Sequence, residues 1–109
     1  DTVGMATPAQ ISSALQSLIP KYPQVEFGVH LHADPINWEP KLEAALAAGC
    51  LRYDSAIKGI GGCPMAQDDL VGNMDTEKML GYFQEKKVDS SIDTKWLQDC
   101  SSMAVQIFQ

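Results

Sequence analysis

The sequence predicts an α/β fold with parallel strand pairing, organised as one partial domain over residues 1–109. Three features carry this. Ile11, Leu15, Leu18 and Ile19 recur at helical spacing. Val25 to His32 then alternates, which is the period of a strand. The two patterns repeat, with Trp38, Leu42, Ala45 and Leu46 on a helical stripe and Leu51 to Ile57 as a second strand. Strands that alternate with helices pair in parallel through right-handed crossovers.

Taken in order, the first helix starts at Thr7-Pro8-Ala9-Gln10, where Thr7 caps the amides and Gln10 closes a capping box. Pro8 suits the first helical position, and Pro20 and Pro23 end the helix. In the first strand Val25, Phe27, Val29 and Leu31 share one face, with Glu26, Gly28, His30 and His32 on the other. A turn from Ala33 to Asn37 leads to the second helix, which ends near Gly49. Lys58 to Gly72 reads as a glycine-rich loop. Two further helices follow, one over Thr76 to Lys87 with Met79, Leu80 and Phe83 apolar. The last follows Asp93 and carries Trp96, Cys100, Met103 and Ile107 on one stripe. Trp38, Trp96, Met79 and Phe83 are expected in the core, and Cys50 and Cys100 are expected to be buried thiols.

Two strands do not make a stable parallel sheet alone, because both faces and both edges need cover. An eight-fold β/α barrel takes roughly 250 residues. The opening Asp1-Thr2-Val3-Gly4 reads as a loop leaving a strand, so the chain is expected to be a fragment of something larger. Its formal net charge of −6 argues against a nucleic-acid partner, which would meet a basic face. No apolar run approaches the ~20 residues that span a bilayer, so no membrane partner is expected. Three cysteines at irregular spacing form neither a disulfide framework nor a zinc motif, and point to a reducing, cytoplasmic setting.

Two motifs carry chemistry. His30-Leu31-His32 closes a strand, and a spacing of two sends both imidazoles to the same side. Two neutral imidazoles bind a divalent metal when an oxygen donor completes the shell, and hydrogen-bonded strand-end histidines are the plainer alternative. Gly59-Ile60-Gly61-Gly62-Cys63-Pro64 is the second motif. Its glycines let the backbone move or approach a ligand closely, and they present Cys63 as a candidate acid, base or nucleophile. The plainer alternative is a flexible turn with an incidental thiol. Neighbouring strands of a parallel barrel end at one mouth, so the two motifs are expected to converge there.

Asp1-Thr2-Val3-Gly4 with Thr7-Pro8, then Val29-His30-Leu31-His32, Asp54-Ser55, the run Gly59 to Ala66, Gly72-Asn73 and Thr76-Glu77 together resemble the hydroxymethylglutaryl-CoA lyase family, in order and in spacing. The resemblance weakens only over the last twenty or so residues. It implies the C-terminal part of a (β/α)8 TIM barrel, with about two strands and their flanking helices. It also implies a carbon–carbon lyase that cleaves hydroxymethylglutaryl-CoA to acetyl-CoA and acetoacetate, using Mg2+ or Mn2+ and an acyl-CoA substrate. His30, His32 and Asn73 resemble the metal-binding residues, and His30 would also accept a proton. Cys63 resembles the cysteine of a closing substrate loop with Gly59, Gly61, Gly62 and Pro64, and Asp1 resembles an acidic residue near the active site.

The sequence departs from the family where Ala33, not aspartate, follows the second histidine, with Asp34 one place later. The loop over Gln67-Asp68-Asp69-Leu70 is one residue longer. A related condensing enzyme, of the homocitrate or isopropylmalate synthase kind, and a non-catalytic interaction module are the alternatives. The family's first-strand arginine and aspartate do not fall in this segment, so the 109 residues alone are expected to be inactive and to bind metal weakly at best. Exposed apolar faces are expected to drive homo-oligomer formation or strand swapping.

Overall fold

The computed structural model describes residues 1–62 and 71–108. Helix α1 (Pro8–Lys21) begins with the expected capping box: Thr7 Oγ1 accepts the Gln10 amide at 3.2 Å, and Gln10 Oε1 accepts the Thr7 amide at 2.9 Å. Pro20 does not stop it. The helix takes Pro20 into its last turn and ends at Tyr22, whose amide reaches Leu18 C=O. A proline this close to the terminus removes one hydrogen bond and leaves little helix beyond it to disturb.

Strand β1 (Gly28–His30) lies parallel to β3 (Arg52–Asp54), with Val29 opposite Tyr53 and His30 opposite Asp54. That pairing matches the sequence, although both strands are shorter than the patterns suggested. The alternating run bends at Leu31. Its side chain is buried, its C=O accepts the Met74 amide, and β2 (His32–Ala33) then pairs antiparallel with β4 (Gly72–Asn73). The chain therefore exchanges a parallel partner for an antiparallel one between the two histidines, and Val25, before β1, is half exposed.

Helix α2 (Trp38–Ala47) follows a turn built by Asp34, whose Oδ1 accepts the Ile36 and Asn37 amides at 2.7 Å each. Asp34 thus serves the helix entry. Helix α3 (Thr76–Glu85) is capped by Asp75, and α4 (Thr94–Ile107) by Asp93. The core gathers Ile11 and Leu15 of α1, Leu31, Leu42 and Ala45 of α2, Cys50, Met74, and Met79, Tyr82 and Phe83 of α3. Trp38 packs against it, and Cys50 and Met79 are buried as expected.

Helix α4 corrects two expectations. Trp96 is 66% exposed and Cys100 is also on the surface, because the helix docks through its small residues Ser101 and Ala104. Among the described residues no helix is long and apolar enough to cross a membrane.

Candidate metal and substrate site

The bend at Leu31 gives the two histidines different surroundings. His30 ends β1 with its side chain 55% exposed, and its Nδ1 lies 3.6 Å from Asp54 Oδ2 on the neighbouring strand. His32 is buried, yet its ring stands edge-on to that of His30, the centroids 5.0 Å apart. Asn73 is directly opposite His32 in the β2–β4 pair. The structure thus brings together three of the residues singled out from the sequence, by a strand switch that the alternation did not reveal.

Each is held in a particular way. His32 Nδ1–H donates to Asp1 C=O at 2.7 Å. A carbonyl only accepts, so in the neutral ring the lone pair is on Nε2. Burial, with the positive charge of Lys41 acting the same way, holds His32 below the usual histidine value, which favours that neutral form. Asn73 Nδ2 donates to Ile60 C=O at 2.9 Å, which leaves Oδ1 as its oxygen donor.

Asp1 stands behind the histidines. Its Oδ1 accepts the Ala6 amide at 3.1 Å and its Oδ2 accepts from Lys41 Nζ at 2.9 Å. Lys41 was not foreseen. Only 2% of it is exposed, and its ammonium also donates to Gly4 C=O at 2.8 Å and His32 C=O at 2.9 Å. Burial draws Lys41 below the usual lysine value, with Asp34 acting the other way. The available signal was its register: Lys41 stands three residues after Trp38 and four before Ala45, inside the apolar stripe of α2.

The glycine motif is built for close approach of backbone to backbone. Lys58, Gly59 and Gly61 all take positive φ. A Cβ on Gly62 would sit 2.6 Å from Val71 C=O, and one on Gly59 would sit 2.9 Å from Asn73 C=O. Gly62 bridges to Gly72, so the segment is pinned along β4 beside Asn73. Glu77 ties its base, accepting the Lys58 amide at 2.8 Å and the Ser101 hydroxyl. The first half of the motif is therefore a closed stem. Cys63 and Pro64, with the longer loop of Gln67 to Leu70, lie outside the described residues.

Two imidazoles and an amide oxygen fit part of the shell of a divalent cation that accepts both nitrogen and oxygen, with Mn2+ suited to imidazole and Mg2+ to oxygen and water. Among the described residues no group of three or more His, Cys, Asp or Glu side chains is placed to hold an ion. The donor set is thus compatible with a cation and incomplete among the described residues.

The HMGL-like family matches residues 1–104. The (R)-citramalyl-CoA lyase of Chloroflexus aurantiacus is 34% identical over 93 residues, which cover 85% of this chain and 29% of that protein. A hydroxymethylglutaryl-CoA lyase of Bacillus subtilis is 26% identical over 106 residues, covering 91% of this chain and 35% of that protein. The chain therefore spans about a third of the length of the curated relatives it matches. Among solved structures, the Bacillus subtilis HMG-CoA lyase superposes with a TM-score of 0.85 at 25% identity, over 97% of this chain and 35% of that one. An HMG-CoA lyase from Acinetobacter baumannii, solved with coenzyme A and 3-methylmalate, gives 0.82 at 29% identity over 96% of this chain and 34% of that one.

Proposed function

Because the chain belongs to the HMGL-like family of lyases, with the α/β fold of part of a (β/α)8 barrel, we propose that it supplies the C-terminal part of a cytoplasmic, homo-oligomeric enzyme that cleaves hydroxymethylglutaryl-CoA to acetyl-CoA and acetoacetate. The observation that carries the reading is the meeting of His30, His32 and Asn73 beside the glycine stem that leads in sequence to Cys63.

His30, His32 and Asn73 would hold Mg2+ or Mn2+, with the remaining donors supplied from outside the segment. Bound there, the cation supplies Lewis acidity at the substrate oxygens. In the state where its ring nitrogen is not on the cation, His30 accepts the proton of the tertiary hydroxyl there, and the Asp54 carboxylate, 3.6 Å from Nδ1, stabilises the imidazolium that results. The carbon–carbon bond then breaks: the hydroxyl-bearing carbon becomes the ketone of acetoacetate, and the bonding pair passes to the acetyl-CoA enolate. Cys63 delivers the proton that the enolate needs, on a loop with Pro64 that closes over the substrate and keeps water out. Gly59, Gly61 and Gly62 anchor that loop against β4.

A second substrate is favoured by one departure. Ala33 replaces the aspartate expected after the second histidine, and Asp34 is committed to the α2 turn. A change beside the histidines would alter what the site accepts in the acyl group, and one relative, 34% identical, is named for (R)-citramalyl-CoA.

Magnesium-dependent cleavage of hydroxymethylglutaryl-CoA and of (R)-citramalyl-CoA, assayed on the full protein that carries this segment and on its Cys63→Ala variant, tests the proposal. Turnover of the first substrate that collapses in the variant supports it. Turnover of the second alone moves the reaction to that acyl group. A metal-loaded full protein that cleaves neither refutes the lyase reading, and assay with a 2-oxo acid and acetyl-CoA then tests the condensing alternative.

A further inference from the structure

We infer that Lys41 is a positioning residue of the histidine site: from α2 it locks the Asp1–Gly4 turn against His32 and so fixes the His32 ring with Nε2 turned to ligand duty. The inference rests on the metal reading for what His32 binds, and on hydrogen-bond geometry for the part played by Lys41.

A buried ammonium is expensive unless its charge is matched and its protons are used. Lysine has three donors and no acceptor. Here all three find oxygen within 2.8–2.9 Å, at Asp1 Oδ2, Gly4 C=O and His32 C=O. A leucine or methionine would fill the same volume in α2 without a charge to match. What distinguishes lysine at this position is the set of oxygens it reaches.

Those oxygens belong to the segments that carry the site. Lys41 grips the backbone of His32 directly. It also grips the side chain of Asp1, whose own C=O receives His32 Nδ1–H at 2.7 Å. The circuit runs from His32 backbone to Lys41, to the Asp1 carboxylate, to the Asp1 carbonyl, and back to the His32 ring. A free imidazole samples both tautomers and pivots about its Cβ bond. Closed in this circuit, it keeps the proton on Nδ1 and the lone pair on Nε2. Outer hydrogen bonds of this kind to a metal-binding histidine are worth roughly 10–100-fold in metal affinity. The turn passes close against Val71: Gly4 has a φ of +71°, and a Cβ there would lie 2.6 Å from Val71 Cγ1.

The first test needs no variant. Long-range 1H–15N NMR of the metal-free wild type is expected to show His32 as the Nδ1–H tautomer, and a ring protonated mainly at Nε2 overturns the inference. In Lys41→Met the tautomer is expected to become mixed, with Mn2+ affinity of the full protein, read by titration calorimetry, falling roughly 10–100-fold. Lys41→Gln, which keeps two donors and no charge, is expected to restore part of both. Because Lys41→Met leaves the Asp1 carboxylate buried and unmatched, the Asp1→Asn/Lys41→Met pair serves where the single variant does not fold. A folded Met variant, single or double, that keeps the Nδ1–H tautomer and wild-type Mn2+ affinity refutes a positioning role. A wild type that binds no Mn2+, yet loses its tautomer preference in the variant, refutes the metal reading and leaves Lys41 as the residue that sets the ring.

Discussion

Helices α2 and α4 both present regular apolar stripes, and the fold treats them in opposite ways. On α2, Leu42 and Ala45 are fully covered, and the stripe continues into Lys41, which is as buried as its apolar neighbours. On α4, Trp96, Met103 and Ile107 remain 66%, 59% and 67% exposed, while the helix docks through Ser101 and Ala104. Periodicity reports which residues share a helix face. It does not report what lies opposite that face. For α2 the opposing surface is α1, the β1–β2 bend and α3, all inside this segment. For α4, among the described residues, it is the edge formed by Glu77 and the turn Ile57–Gly59, with Leu97 reaching the margin of the core.

The largest expected effect comes from emptying the covered side of this comparison. Leu42→Ala opens a cavity where no water reaches, and should cost roughly 2–5 kcal/mol, read as a fall in urea midpoint at unchanged slope. A cost below about 1 kcal/mol would mean that α2 is far less tightly packed than its burial indicates. Next comes Gly62→Ala. The added methyl meets the Val71 carbonyl, which is backbone and cannot swing aside, so an overpacking cost of about 1–3 kcal/mol is expected. Faster hydrogen exchange at the Gly72 and Asn73 amides should accompany it. A stable variant with protection unchanged would show that the stem does not depend on the Gly62–Gly72 bridge.

How much of this was legible follows from the same contrast. The capping box at Thr7 and Gln10, the parallel pairing of β1 with β3 and the apolar side of α2 are local or periodic properties, and the structure has them where the sequence suggested. The two-residue pair of β2 with β4 is too short to leave a period, so the strand switch between His30 and His32 was invisible. Lys41 was missed because a lysine in an amphipathic helix ordinarily faces water, and its acceptors come from residues up to forty positions away. Trp96 was assigned to the core by type, although its environment depends on what packs against α4. Of the candidate site, the residues were legible and the circuit that orients them was not.

A pH experiment sharpens the thin contact that α4 does make. Burial pushes the Glu77 carboxyl up, but the hydrogen bonds from the Ser101 hydroxyl and the Lys58 amide outweigh it and leave the group below the usual glutamate value. A carboxyl lowered in the folded state stabilises the fold above its unfolded pKa, and that contribution is lost as pH falls through the folded value. Wild type should therefore lose stability below about pH 4.5 more steeply than Glu77→Gln, the gap closing by about 1 kcal/mol as acid is added. Parallel acid profiles for the two proteins would show that Glu77 contributes no charge-dependent tie between α3, α4 and the glycine stem.

The smallest expected effect on stability tests the exposed side. Trp96→Ser removes a large apolar side chain that this segment barely covers, so unfolding of the monomer should change by no more than about 0.5 kcal/mol. Its effect on association should be larger. Trp96, Met103 and Ile107 share one exposed face of α4, and apolar faces of this kind draw copies together in water. Light scattering of the wild type at rising concentration should show growth in mass that the serine variant reduces. A wild type that stays monomeric throughout would mean the exposed stripe is tolerated in water, as scattered surface apolar residues are. A variant that instead loses several kcal/mol would place Trp96 in the core after all, and would erase the difference between the two helices from which these predictions start.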